Sequence, residues 1–114
     1  MGNIPANHNS QELAAMVTSK LPGVGIKDCW NYAHEGDGLT LYLDYTLFES
    51  GYLSHDESQF RKRIFFKSAL FKKVPDMVEK IINEVVNKGG KVVFTNYNIL
   101  KEYDGIALKL RYPA

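Results

Sequence analysis

The stretch VPDMVEKIINEVVNK, residues 74–88, places Val74, Met77, Val78, Ile81, Ile82, Val85 and Val86 at the i, i+3, i+4, i+7 spacing of one helix face. Asp76, Glu79, Lys80, Asn83, Glu84, Asn87 and Lys88 take the opposite face. Pro75 suits a first helical turn, where a missing N–H costs nothing. Asp76 and Glu79 lie at the end where the helix dipole favours negative charge, and Lys88 lies at the other. Gly89-Gly90 offers the left-handed conformation that stops a helix. An apolar helix face has to cover something, and Lys91 to Thr95 (KVVFT) follows at once as a predicted strand. The pattern predicts an α+β fold.

The length of 114 residues predicts a single globular domain over 1–114, large enough for a modest core. Apolar residues make up 45% of the chain, with one Trp, seven Tyr and six Phe, which argues against disorder. Fourteen basic and thirteen acidic residues leave a net charge of +1, so only a local patch could recruit an anionic partner. Cys29 is the single cysteine and cannot form an intrachain disulfide, which favours a reducing compartment. No run is apolar enough to span a bilayer. The opening MGNIPANHN lacks the apolar core of a signal peptide, and Ala6 stands where a myristoylation site needs Ser or Thr. These features predict a cytoplasmic protein without a membrane partner.

Outward from the central helix, residues 1–8 read as a loose N-terminal lead. Asn9 and Glu12 form a predicted capping box for a short helix at 10–20, striped by Leu13, Ala14, Val17 and Leu21. Val24 to His34 reads as a strand with Val24, Ile26, Trp30 and Tyr32 on one side, and Glu35-Gly36-Asp37-Gly38 as a hairpin turn. Leu39, Leu41, Leu43, Tyr45 and Leu47 alternate with Thr40, Tyr42, Asp44, Thr46 and Phe48, a strand with one dry face and one nearer water. Residues 49–58 read as a polar loop in which Ser54-His55-Asp56-Glu57 resembles a capping box, and 60–67 as a strand. Asp104-Gly105 signals a hairpin between strands at 99–103 and 106–112. The predicted order is α-β-β-β-α-β-β(-β): a mostly antiparallel sheet of about five strands with two helices on one face. Were the strands at 60–67 and 91–95 parallel neighbours, the helix between them would be a crossover. The first five elements are similar in order to double-stranded RNA-binding domains, whose side-chain pattern is absent.

Three groups of residues bear on chemistry. Arg61, Lys62, Arg63, Lys67, Lys72 and Lys73 put six cations into thirteen residues, interleaved with Phe60, Phe65, Phe66 and Phe71. Cations neutralise phosphates and aromatic faces stack on bases, so the run is a candidate for RNA or single-stranded nucleic acid. The structural alternative is phenylalanines in the core and cations on a solvated face or guarding a strand edge. Tyr42 and Phe48, outward on their strand, and Tyr52 in the next loop are interaction candidates if the second sheet face is open, and core residues if it is covered. His34, Glu35 and Asp37, and likewise His55, Asp56 and Glu57, are clusters in turns, where ligands seldom converge on a metal. Asp44 reads as a surface carboxylate, and Cys29 beside Trp30 as a buried, inert thiol. Ser10, Ser50, Ser54 and Ser58 lack a nucleophile elbow, and PGVG at 22–25 lacks the spacing of a phosphate loop.

No catalytic constellation, cofactor motif or metal motif emerges. By elimination the sequence predicts a small cytosolic, non-enzymatic binding protein that docks on another macromolecule, a protein first, in the manner of an inhibitor, immunity protein or antagonist. Nucleic-acid binding through 60–73 is the alternative. A ligand-binding domain or enzyme is the third reading, and it requires a cleft containing His34, His55 or Asp44. Pairing of an exposed strand edge would make a homodimer.

Overall fold

A computed structural model describes residues 23–64, 69–96 and 100–112. The predicted lead at 1–8 and helix at 10–20 lie outside them. The described elements are β1 (Gly23–Val24), α1 (Gly25–His34), β2 (Gly38–Asp44), β3 (Gly51–Ser54), β4 (Phe60–Arg61), β5 (Phe71–Val74), α2 (Met77–Asn87), β6 (Lys91–Thr95), a 3₁₀ turn (Lys101–Tyr103) and β7 (Ile106–Leu110). The fold is α+β, as the patterning predicts, but its strands form two sheets. One has the order β1-β7-β2-β6 and the other β4-β3-β5. The first is mixed: β7 runs antiparallel to β1 and β2, and β6 runs parallel to β2. The parallel partner of β6 is therefore β2, not a strand at 60–67.

The amphipathic stretch folds as α2. Asp76 is its N-cap, with its carboxylate accepting the Glu79 N–H at 3.1 Å, so Pro75 precedes the cap and is outside the first turn. Met77, Val78, Ile81 and Val85 are buried, and each such side chain taken from water stabilises the fold by about 1.5–3 kcal/mol. At the other end, the Gly90 N–H donates to the Val85 carbonyl and the Gly89 N–H to the Val86 carbonyl, with Gly89 at φ +92°. This is the Schellman closure that a glycine permits.

The segment predicted as a strand at 24–34 is helix α1. Its buried residues are Ile26, Cys29, Trp30 and Ala33, at steps of three, one and three, which is a helix face. The strand reading took alternate residues because Trp and Tyr favour strands, and it overlooked this second period. The predicted hairpin turn after it is the cap of α1. The Gly36 N–H donates to Ala33 and the Asp37 N–H to Tyr32, with Gly36 at φ +85°. Both helices thus stop by the same geometry.

Both helices lie on the side of the larger sheet that carries Leu41, Leu43, Ile106 and Leu108, and these residues form one core with the buried helix faces. The opposite side is not open. Tyr42 and Ala107 pack there with Leu100, with Val24, Val93 and Tyr103 around them. Strand β2 is consequently dry on both faces: Thr40, Tyr42 and Asp44 are all buried. It ends at Asp44, so Tyr45 and Phe48 follow the strand and are exposed. Asp104-Gly105 adopts the two positive φ values that its sequence suggests, 57° and 84°, but it joins the 3₁₀ turn, not a strand, to β7. The smaller sheet lays Leu53 and Phe60 against the core beside Trp30. Gly51 lies against Phe60 so closely that an added Cβ would stand 2.3 Å from the ring.

Orientation of α2 predicts an asymmetric response. Ile81→Ala should cost about 2–5 kcal/mol by opening a cavity. Val86→Ala, on the exposed side, should change stability by no more than about 0.5 kcal/mol. Urea unfolding of the two variants measures this, and equal losses would contradict the packing.

Candidate functional site on the three-stranded sheet

The β3–β4 connection is a tight turn, not the helix start that Ser54-His55-Asp56-Glu57 resembles. One Asp56 carboxylate oxygen accepts the Ser54 hydroxyl at 2.7 Å, the Ser58 hydroxyl at 2.8 Å and the Ser58 N–H at 3.0 Å. These bonds, the Ser54 hydroxyl first, pull the Asp56 carboxyl down to about 2. Glu57 takes the left-handed conformation at φ 63° and is held on three sides. Its carbonyl accepts the Trp30 indole N–H at 2.8 Å. Its carboxylate meets Lys80 of α2 at 2.8 Å and Lys72 of β5 at 2.9 Å, and the bonds to Lys80 and then Lys72 hold its pKa below the ordinary carboxylate range. The turn is thus tied to α1, α2 and β5 together. His55 Nε2 contacts the Ala69 carbonyl.

The turn sets a register that sorts the small sheet's side chains onto two faces. Leu53 pairs with Phe60 and Lys72, and Gly51 with Val74, on the inner side. Tyr52 pairs with Arg61 on one flank and Lys73 on the other, and Ser54 pairs with Phe71, on the outer side. Paired residues in adjacent strands point the same way, so Arg61, Tyr52 and Lys73 form one row. Arg61 and Lys73 are exposed, while Tyr52 and Phe71 are half-buried. The Arg61 guanidinium crosses β3 to lie over the Phe71 ring, 5.4 Å from its centroid. It also donates to the Gln59 side-chain carbonyl at 3.2 Å and the Phe60 carbonyl at 3.3 Å. A cation held over a ring in this way keeps its charge while its rotamers are restricted.

The structure divides the sequence candidates. Tyr42 is wholly buried, so the predicted patch of Tyr42, Phe48 and Tyr52 does not form. Phe48 is exposed in the loop after β2, and Tyr52 belongs to β3, not to a loop. Of the basic run, Arg61 lies in β4 and Lys72 and Lys73 in β5, while Lys67 lies outside the described residues. The strand predicted at 60–67 is only Phe60–Arg61 among the described residues, and β5 went unseen because Phe-Lys-Lys-Val has no alternating period. Lys62 pairs with Glu49 at 3.5 Å and Lys72 with Glu57. Arg61, Arg63 and Lys73 have no carboxylate within ion-pair distance among the described residues. Sequence reasoning missed the pairing of Tyr52 with Arg61 and Lys73, because register across strands leaves no mark along the chain.

The other candidates serve the fold. His34 stacks on Trp30 with ring centroids 5.1 Å apart, and its Nδ1 lies 3.0 Å from the Glu84 carboxylate, which Lys88 also meets at 3.0 Å. Asp44 is buried, not on the surface, and accepts both the N–H and hydroxyl of Thr46 at 2.9 Å, closing the turn after β2. Among the described residues no three His, Cys, Asp or Glu side chains converge to hold a metal ion. An open cleft of about 700 Å³ lies between the start of α1, Leu47, Glu49, β4 and Asp104. His34, His55 and Asp44 do not line it. No helix among the described residues is long and apolar enough to cross a membrane.

Two measurements follow from these surroundings. Asp56 and Glu57 both titrate below their unfolded values of about 4. Their contribution to stability is therefore complete above about pH 5 and is lost as pH falls through the lowered folded-state values, for Asp56 about 2. Asp56→Asn with Glu57→Gln should flatten the fall in urea midpoint over that window relative to the parent protein; parallel profiles would contradict it. Cys29 is fully buried, and burial, with Asp28 nearby, pushes its thiol well up from its ordinary range. It should resist a thiol reagent at neutral pH in the folded protein and react at once in urea.

No protein-family model matches the chain, and no curated protein matches it in sequence.

Proposed function

We propose that this protein is a small binding protein that docks on another macromolecule through the outer face of the β4-β3-β5 sheet. The observation that carries the reading is the row Arg61–Tyr52–Lys73, with Phe71 beside it beneath Arg61. Aromatic rings offer large contact area at low entropic cost, and here they rise from strands instead of from a mobile loop. The sheet beneath them is anchored by Leu53, Phe60 and the Glu57 bonds, so the face is set before a partner arrives. A binder of this kind acts by occlusion: it covers what it docks on. Inhibitors and antagonists work in this way, and no bond-making chemistry is required of the face.

Photo-crosslinking tests the reading. A benzoyl-phenylalanine replacing Tyr52 should yield a macromolecular adduct when cells making the protein are irradiated, and denaturation before irradiation should abolish it. The same group replacing Val86, exposed on α2, should yield none. No adduct at 52, or equal adducts at both positions, would overturn the proposal.

A further inference from the structure

We infer that the occupant of this face is a single-stranded nucleic acid, an inference that rests on the docking reading above. Charge is the first ground. The side chains of the face are Tyr52, Ser54, Arg61, Phe71 and Lys73, with no acid among them. Of the carboxylates flanking it in sequence, Glu49 is neutralised by Lys62 and Glu57 by Lys72 and Lys80, which leaves Asp56, held ionised by Ser54 and Ser58, at the turn end of the face against the cations Arg61 and Lys73. Within the basic run, the cations left without a carboxylate among the described residues are Arg61 and Lys73 on the face and Arg63 just past β4. The near-zero net charge of the chain thus conceals a local surplus where the rings are.

Geometry is the second ground. The backbones of Arg61 and Lys73 stand on either side of Tyr52, roughly 10 Å apart given the spacing of neighbouring strands, and the Arg61 guanidinium reaches across β3 to Phe71. A base can stack on the Tyr52 ring, and another on the guanidinium plane that Phe71 supports from below. Phosphates on either side then meet Lys73 and Arg63. An acidic peptide would use the cations but would gain little from two stacking surfaces between them. A duplex keeps its bases inside, and a flat face built on strands of two to four residues enters neither groove. The partner that uses every group on the face has exposed bases and a charged backbone.

Fluorescence anisotropy with the full chain tests this. The probes are labelled oligothymidine and oligouridine of about a dozen nucleotides, a duplex of the same length, and an oligoglutamate peptide. The single strands should bind more tightly than the duplex or the peptide, with log affinity falling against log salt at a slope of about −1.4 for the two phosphate contacts of Lys73 and Arg63. Arg61→Ala with Lys73→Ala should reduce that slope by about 0.7, the share of the Lys73 contact, and weaken binding further by removing the guanidinium stack. Tyr52→Leu should weaken binding about 5- to 150-fold with the slope unchanged. Tyr52→Phe, which keeps the ring and the packing, should bind as the parent does. Thermal melts establish that each variant is folded. Failure of the oligonucleotides to bind at low salt, equal affinity for the peptide, or indifference to loss of the Tyr52 ring would overturn the assignment. A protein adduct at position 52 without oligonucleotide binding would overturn the nucleic-acid inference and leave the docking face standing. Absence of both would overturn the two together.

Discussion

Trp30 is completely buried, and its indole N–H needs an acceptor where there is no water to supply one. The acceptor is the carbonyl of Glu57, 27 residues further on in the turn between β3 and β4. That requirement couples α1 to the β3–β4 turn and decides where the smaller sheet sits. The same residue anchors the turn by its side chain, since the Glu57 carboxylate bridges Lys72 and Lys80, and Lys80 also lies 5.9 Å from the Trp30 ring. The left-handed backbone at Glu57 costs about 1–2 kcal/mol. It is offset by the set of bonds that only this conformation brings together.

Placement of the small sheet separates its two faces into different roles. The inner face is committed to packing, with Leu53 and Phe60 in the core and Gly51 leaving room for the Phe60 ring. The outer face is left with what the register delivers, and it delivers two rings and two cations side by side. Rigidity below and chemistry above is a sound basis for binding, because little ordering remains to be done when a partner arrives. Among the described residues the larger sheet has no comparable face, because the helices occupy one side and the Leu100–Tyr103 region covers Tyr42 on the other.

Legibility along the chain was uneven. α2 was readable in nearly full extent, since its period and its Gly89 stop agree, although Asp76 is its cap and Pro75, read as part of the first turn, precedes it. β6 and the core of β2 were readable for the same reason: short, apolar or alternating, and bounded by turn residues. α1 was misread although its helical face is present in the sequence, because Trp30 and Tyr32 also satisfy an alternating pattern and Glu-Gly-Asp-Gly imitates a hairpin. Tyr42 alternates with leucines as a surface residue would, yet it is buried, because Leu100, Val24 and Tyr103 are brought over it from parts of the chain that local alternation does not register.

The basic run shows the same limit at the candidate site. Its composition marked 60–73 as unusual, but composition counts every lysine alike, whereas two of the described cations are neutralised by glutamates brought in from residues 49 and 57. Local order alone determined the α+β class, the central helix and the glycine stops, because a helix period and a cap depend on neighbours within four residues. Which face Tyr42 turns to, which cations keep their charge to themselves, and that Arg61, Tyr52 and Lys73 share a row were decided only by the tertiary structure. Those properties depend on pairings across strands, and no residue carries in its own sequence neighbourhood the identity of the one placed beside it.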